Sequence, residues 1–106
     1  VSRIGWNAED AAAFGEEYKA RYNIQGALET ESLYGHDAIT WIVSSIEKAG
    51  SADPDAIREQ LEKTDSFDGL LGHMSVDPAN HNPTRDAAIF KVGADSIDYL
   101  GVYTVD

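Results

Sequence analysis

Residues 32–50 form the one run long and apolar enough to be the centre of a fold, and this run constrains the fold most. Its apolar residues recur at helical spacing but spread over more than one face: Leu33, Tyr34, Ala38, Ile39, Trp41, Ile42, Val43, Ile46 and Ala49. This distribution is typical of a helix covered on several sides. Ser32 is a suitable N-cap and Gly50 a suitable left-handed C-terminal residue. The run therefore predicts a central helix, with Trp41, Ile42 and Ile46 buried.

The chain is strongly acidic, with 19 Asp and Glu residues against 8 Lys and Arg and a formal net charge of -11. Its 106 residues fit one domain with a moderate core. Because this charge repels nucleic acid and no basic stripe interrupts it, we expect no nucleic-acid partner. The absence of cysteine removes disulfides and thiol catalysis. Residues 1–7 lack the basic start and apolar core of a signal peptide.

A first helix is predicted from Ala8, with Asn7 as its N-cap. Phe14, Tyr18 and Tyr22 repeat at i, i+4 and i+8, which gives the helix one aromatic side. An aromatic stripe of this kind is sometimes a ligand platform, but a core-facing stripe is more common. We therefore expect these rings to face the core.

A third helix is predicted after the central one, because Asp53 is a good N-cap and Pro54 suits the first helical position. Pairs of opposite charge at i and i+4 should lie on its exposed side: Arg58 with Glu62, and Glu59 with Lys63. Its apolar side is narrow. The helix should therefore lie at a surface.

From Phe67 onward the hydrophobic period changes to the alternation of strands. Residues 70–76 predict one half-buried strand, 77–86 an exposed loop, and 87–92 with about 97–104 a hairpin. The order is three helices followed by three short strands. An isolated chain of this kind belongs to the α+β class.

No catalytic, metal or cofactor site stands out. Glycine-rich nucleotide motifs and the paired histidines of zinc proteases do not occur. Asp77, His81 and Asp86 could approach one another, but a solvated polar loop explains them better than a metal site. Ser44 or Ser45 with His36 and Asp37 would be a poor triad, because all lie within about two turns of one helix. We expect no cofactor and no enzyme activity.

The start of the central helix is the best candidate for ligand contact. Free N–H groups at a helix N-terminus favour a small anion, Tyr34 offers a ring and a hydroxyl, and His36 offers an imidazole. Asp37 would repel an anion unless it is turned away or caps the backbone. The alternative, a packed tyrosine and a locally hydrogen-bonded histidine, is favoured by the residues alone.

Five motifs follow one another in a recognisable order: Phe14 with Tyr18-Lys19-Ala20-Arg21-Tyr22; Tyr34-Gly35-His36-Asp37-Ala38 with Ser45-Ile46-Glu47-Lys48-Ala49-Gly50; Asp53-Pro54 through Ile57-Arg58 to Leu61; Phe67, Gly69, Gly72 and Asp77; and His81-Asn82-Pro83 with Ile89-Phe90-Lys91-Val92. In this order they resemble the C-terminal part of the type I extracellular substrate-binding proteins of ABC importers. The similarity is to the branch that includes the leucine, isoleucine and valine receptors. It covers nearly the whole chain.

The resemblance implies a segment, about the last third, of an α/β protein with two doubly wound lobes and a ligand cleft between them. It implies a receptor that captures a small molecule, an amino acid or related carboxylate, for the membrane subunits of an ABC importer. Its location would be periplasmic or extracellular. The main ligand-clamping residues of that family come from earlier segments, so none is carried over to this sequence.

A second function class is a small self-standing acidic interaction domain, as a monomer or a dimer, with no transport role. The central helix is apolar on more faces than two short helices and a hairpin cover, so an isolated chain should expose a large apolar patch. We therefore expect it to associate with itself or to stay bound to the rest of a parent protein.

Overall fold

The structure, a computed structural model, describes residues 8–26 and 28–103. Three helices precede five strands: α1 Ala8–Tyr22, α2 Thr30–Ala49, α3 Pro54–Glu62, β1 Phe67–Gly69, β2 Gly72–Asp77, β3 Asn82–Arg85, β4 Ala87–Val92 and β5 Ile97–Tyr103. The predicted cap at Asn7 and the end of the last predicted strand at Thr104 lie outside the described residues. Among the described helices, none is both long and apolar enough to cross a membrane.

Helix α2 begins at Thr30, two residues before the predicted cap. Glu29 is the N-cap residue, in an extended conformation and without a side-chain capping bond, and its carbonyl accepts the N–H of Ser32 at 3.1 Å. The prediction of Ser32 as the cap was therefore wrong. Gly50 ends the helix as predicted, with a φ of 61° that a residue without Cβ adopts readily.

Helix α3 begins as predicted. One carboxylate oxygen of Asp53 accepts the N–H of Asp55 at 3.0 Å and of Ala56 at 3.1 Å, and Pro54 follows at the first helical position. The predicted i,i+4 pairs also form, with Arg58 at 4.0 Å from Glu62 and Lys63 at 3.6 Å from Glu59. These exposed pairs contribute little to stability.

The strands form two separate antiparallel sheets, β1-β2-β3 and β4-β5. The strand predicted over 70–76 is confirmed from Gly72 onward as β2, whereas Leu70 and Leu71 form a tight turn after β1, which was not predicted. The loop predicted over 77–86 was also partly wrong, because β3 pairs with β2 from Met74 opposite Arg85 to Asp77 opposite Asn82. The predicted hairpin of β4 and β5 is confirmed.

The buried apolar core is small. Ala11 of α1, Leu33 of α2, and Leu70 and Leu71 of the β1–β2 turn form one cluster, with Phe14 packed against it. Leu33 is only 2% exposed. The core therefore lies where the two long helices meet this turn.

Two expectations about burial are corrected by the structure. Ile42 is 41% exposed, and Trp41 and Ile46 are only half-buried, because α2 packs on α3 and β1 along one side. Of the aromatic stripe, Phe14 reaches the core, whereas Tyr22 is 58% exposed. Large apolar side chains are exposed on α2 and on the β4–β5 hairpin.

Candidate functional site

Asp37 is a buried carboxylate that joins α2 to the turn between β1 and β2. Its side chain accepts the N–H of Leu70 at 2.8 Å and the N–H of Leu71 at 2.9 Å. Nδ1 of His36 lies 3.2 Å from the same carboxylate. A buried charge is tolerated only when hydrogen bonds replace its hydration. Asp37 therefore caps backbone N–H groups. The sequence had left two arrangements in which Asp37 would not repel a nearby anion, turned away or capping the backbone, and this is the second.

Gly69 makes this arrangement possible. A Cβ at that position would overlap the Asp37 carboxyl group, at 2.6 Å from its Cγ. Real Cβ atoms do not approach other heavy atoms so closely, so any larger residue would push the carboxylate away from the two N–H groups. The close approach of strand β1 to α2 thus depends on a glycine here.

The two predicted ligand contacts point to different parts of the molecule. The ring of Tyr34 lies under the guanidinium of Arg85 in β3, at 5.5 Å from its centroid. The ring of His36 contacts Phe14 of α1, with ring centroids 4.9 Å apart. Residues at i and i+2 do not share a helix face, so the structure does not bring Tyr34 and His36 together. Both also follow the first turn of α2, where the free N–H groups of the helix are.

An open groove of about 720 Å³ lies between α1 and α2. Its volume is in the range of small-molecule sites. His36 is part of its wall and Tyr34 is not. Aromatic, apolar and charged side chains share the lining: Phe14, Glu17, Tyr18, Arg21, Tyr22, Glu31, Ser32, His36, Ile39 and Thr40, with Gly35. In the described residues no carboxylate lies within ion-pair distance of Arg21, whose guanidinium is 5.9 Å from the centroid of the Tyr22 ring.

A second junction links α2, α3 and β2 through Thr64, which is buried. The indole N–H of Trp41 donates to the hydroxyl of Thr64 at 3.0 Å, and that hydroxyl donates to the carbonyl of Gln60 at 3.2 Å. The carbonyl of Thr64 accepts the N–H of Val76 at 2.7 Å. Every polar group in this chain of contacts has a partner, which suits a rigid joint better than a binding site.

Two further polar candidates, Asp77 and Ser45, have structural roles. The carboxylate of Asp77 accepts the N–H of Ala79 at 2.9 Å and the side-chain N–H of Asn80 at 2.7 Å, closing the β2–β3 turn. The hydroxyl of Ser45 donates to the carbonyl of Trp41 at 2.9 Å. Within residues 8–26 and 28–103, no three metal-ligating side chains lie close enough to hold an ion.

Comparison with known proteins decides the family. Residues 4–96 match the family model described as periplasmic binding protein. That match spans most of the chain. The chain belongs to the periplasmic binding protein family.

A solved periplasmic binding protein shows where the similarity lies. The chain is similar to the leucine-binding protein LivK of Thermotoga maritima, at 30% identity and with a TM-score of 0.65. The match covers 88% of this chain and 26% of the LivK chain, so the chain spans about a quarter of that protein's length. The resemblance to the type I, leucine-binding branch is thereby confirmed, and the three helices with antiparallel strands are part of a periplasmic-binding-protein fold.

Sequence reasoning missed the main junction of this periplasmic binding protein segment. The sequence left open whether Asp37 repels an anion, is turned away or caps the backbone, and its bonds to Leu70 and Leu71 were not foreseen. Two sequence signals were available. An acidic residue lies within the most apolar helix, and Gly69 and Gly72 flank two leucines in a way that favours a tight turn.

Proposed function

We propose that this chain is a segment of a two-lobe solute-binding receptor that captures an amino acid or a related carboxylate for the membrane subunits of an ABC importer. The receptor works in the periplasm or outside the cell and binds its solute without chemical change. The segment would be the C-terminal part of that receptor. The observation that supports this proposal most directly is the family match over residues 4–96.

The similarity to LivK supports the choice of solute class. That protein is a leucine-binding protein, and its similarity to this chain includes both sequence and fold. Since the match extends over 26% of LivK, the complete receptor would supply most of the ligand contacts from other parts of its polypeptide. The role we assign to this segment is therefore mainly to build one part of the scaffold around the site.

The contacts around Asp37 suit such a scaffold. One carboxylate fixes the β1–β2 turn against α2, and the same turn forms the core with Leu33 and Ala11. Charge-assisted hydrogen bonds of this kind are roughly twice as strong as neutral ones, so they hold a defined geometry. Tyr34 and His36 remain the two alternative proposed contacts within the segment, and His36 is favoured because it is part of the wall of the groove between α1 and α2.

Calorimetry on the full-length protein tests this function. Leucine, isoleucine, valine and aromatic carboxylic acids are titrated in turn, with leucinamide as the control that lacks the carboxylate. We expect at least one carboxylate ligand to bind with Kd well below about 1 mM, and leucinamide to bind far more weakly. If every amino acid and acid in the panel binds no better than about 1 mM, the proposed solute class is wrong.

One observation favours the second function class, a self-standing interaction domain. Large apolar side chains of α2 and of the β4–β5 hairpin are exposed. The coding sequence upstream of Val1 separates the two proposals. Preceding β/α lobes and a secretion signal support the receptor. A start codon immediately before Val1 supports the interaction domain.

A further inference from the structure

Four aromatic rings form a continuous run along the groove between α1 and α2. The ring centroids of His36 and Phe14 are 4.9 Å apart. Those of Phe14 and Tyr18 are 5.6 Å apart, and those of Tyr18 and Tyr22 are 4.7 Å apart. All four side chains line the groove, and none of them is fully buried. The groove therefore has a wall of rings against which a further ring can pack.

The same groove carries charges that are not paired. Arg21 forms no ion pair within the described residues, and its guanidinium lies 5.9 Å from the centroid of the Tyr22 ring. Glu17 precedes Arg21 by four residues, the order and spacing that favour an ion pair on a helix, yet the two side chains do not pair. Glu31 of α2 likewise has no ion pair in the part of the chain that the structure describes.

This combination of groups matches the parts of an amino acid. A guanidinium binds a carboxylate through two parallel hydrogen bonds, and a carboxylate accepts hydrogen bonds from an ammonium group. The rings add a preference for the side chain of the ligand. An aliphatic side chain would bury apolar area against them, whereas an aromatic side chain would also gain the attraction between rings.

We propose that the solute of the receptor is an amino acid with an aromatic side chain, and that the groove between α1 and α2 binds it. Arg21 binds the carboxylate of the solute, and Glu17 and Glu31 bind its ammonium group. The ring of the solute packs on the run of rings that includes Phe14 and Tyr18. This inference rests on the proposed function and narrows its solute class, while the rest of the receptor supplies further contacts.

Other classes of ligand use only part of the groove. An organic cation would meet the two carboxylates but would be repelled by the guanidinium of Arg21. An aromatic acid without an ammonium group would bind Arg21 but would be repelled by Glu17 and Glu31. A solute such as leucine, the ligand in the name of the similar LivK protein, would satisfy the charges without providing a ring.

Calorimetry on the full-length protein with four probes tests the match of ligand to groove. L-Phenylalanine has all three groups, L-leucine lacks the ring, phenethylamine lacks the carboxylate, and 3-phenylpropionate lacks the ammonium group. We expect L-phenylalanine to bind at least about tenfold more tightly than each of the other three. If L-leucine or 3-phenylpropionate binds as tightly as L-phenylalanine, the proposal is wrong.

Substitution of Arg21 tests the site itself. Arg21→Gln should weaken the binding of L-phenylalanine at least about tenfold, and should not weaken that of phenethylamine, which has no carboxylate to lose a partner. Arg58→Gln is the matched control, because Arg58 is an exposed arginine that lies on α3 and pairs only with Asp55 and Glu62 of that helix. It should leave both affinities within about twofold of the wild type.

Two results for these variants would overturn the proposal. One is an equal effect of Arg21→Gln and Arg58→Gln on the binding of L-phenylalanine. The other is a similar loss of affinity for both ligands in Arg21→Gln, which would indicate a structural role for Arg21. Circular dichroism spectra confirm that both variants are folded.

The outcomes separate this inference from the proposed function. A full-length protein that binds no amino acid or carboxylate more tightly than about 1 mM would contradict both. A protein that binds leucine more tightly than phenylalanine, or that binds phenylalanine independently of Arg21, would contradict this inference alone.

Discussion

The carboxylate of Asp37 accepts the backbone N–H of Leu70 at 2.8 Å, although the two residues are 33 positions apart in the chain. The neighbouring N–H of Leu71 donates to the second carboxylate oxygen at 2.9 Å. One side chain on α2 thus satisfies both N–H groups of the β1–β2 turn. Breaking this contact separates the central helix from the turn that completes the core.

Replacing Asp37 with Asn should destabilise the chain by about 2–4 kcal/mol. An amide has one acceptor oxygen, so one of the two N–H groups would face an NH2 group and lose its partner. Urea denaturation followed by circular dichroism measures the change. Asp55→Asn is the control, because the Asp55 side chain is 88% exposed on α3. Equal stability of the two variants would contradict the role of Asp37.

Replacing Gly69 with Ala should destabilise the chain by about 1–3 kcal/mol, because the new methyl group would overlap the Asp37 carboxyl group. Gly35→Ala is a matched control in α2, where a Cβ would meet nothing within 4 Å. It should stabilise the helix by about 0.5–1 kcal/mol. Thermal unfolding of both variants checks the prediction, and midpoints that change in the same direction would refute it.

Leu33→Ala should destabilise the 106-residue chain by about 2–5 kcal/mol, because Leu33 is 2% exposed and its loss leaves a cavity. Ile42→Ala should change it by about 1 kcal/mol or less, since 41% of that residue already contacts water. Urea melts distinguish the two. A larger effect at Ile42 than at Leu33 would show that the core lies on the Ile42 side of α2, which would contradict the structure.

At most one of Tyr34→Ala and His36→Ala should weaken solute binding in the full-length protein, because the two side chains face different elements. We expect it to be His36→Ala, since His36 is part of the groove wall. Calorimetry with the tightest ligand of the panel should show a loss of more than about 0.5 kcal/mol for His36→Ala and less for Tyr34→Ala. Unchanged affinity in both variants would leave the segment as scaffold only.

Local signals were sufficient for the ends of several elements. Asp53 with Pro54 began α3, Gly50 ended α2, and the alternation in residues 87–92 located β4. The two cap signals act within four residues of the backbone groups that they satisfy, and the alternation is a pattern of adjacent residues, so all three can be identified without knowledge of the fold. The order of soft motifs likewise sufficed to identify the family.

The pattern of β3 shows why other elements escaped prediction. Residues 82–85 contain Asn82, Pro83 and Arg85 and have no apolar alternation, yet they pair with β2. Pro83 lacks an N–H to donate and is tolerated because β3 lies at the edge of its sheet. Whether a polar segment becomes a strand depends on the partner strand and not on its own side chains.

The sequence by itself determined the helices, the hairpin of β4 and β5, the acidic character and the family, because these depend on local spacing and composition. Only the tertiary structure decided that Asp37 holds the β1–β2 turn, that Leu33 and not Ile42 is in the core, and that Tyr34 and His36 diverge. The physical reason is the distance along the chain between interacting groups. A helical period shows which residues share a side, but the side that becomes buried depends on elements tens of residues away.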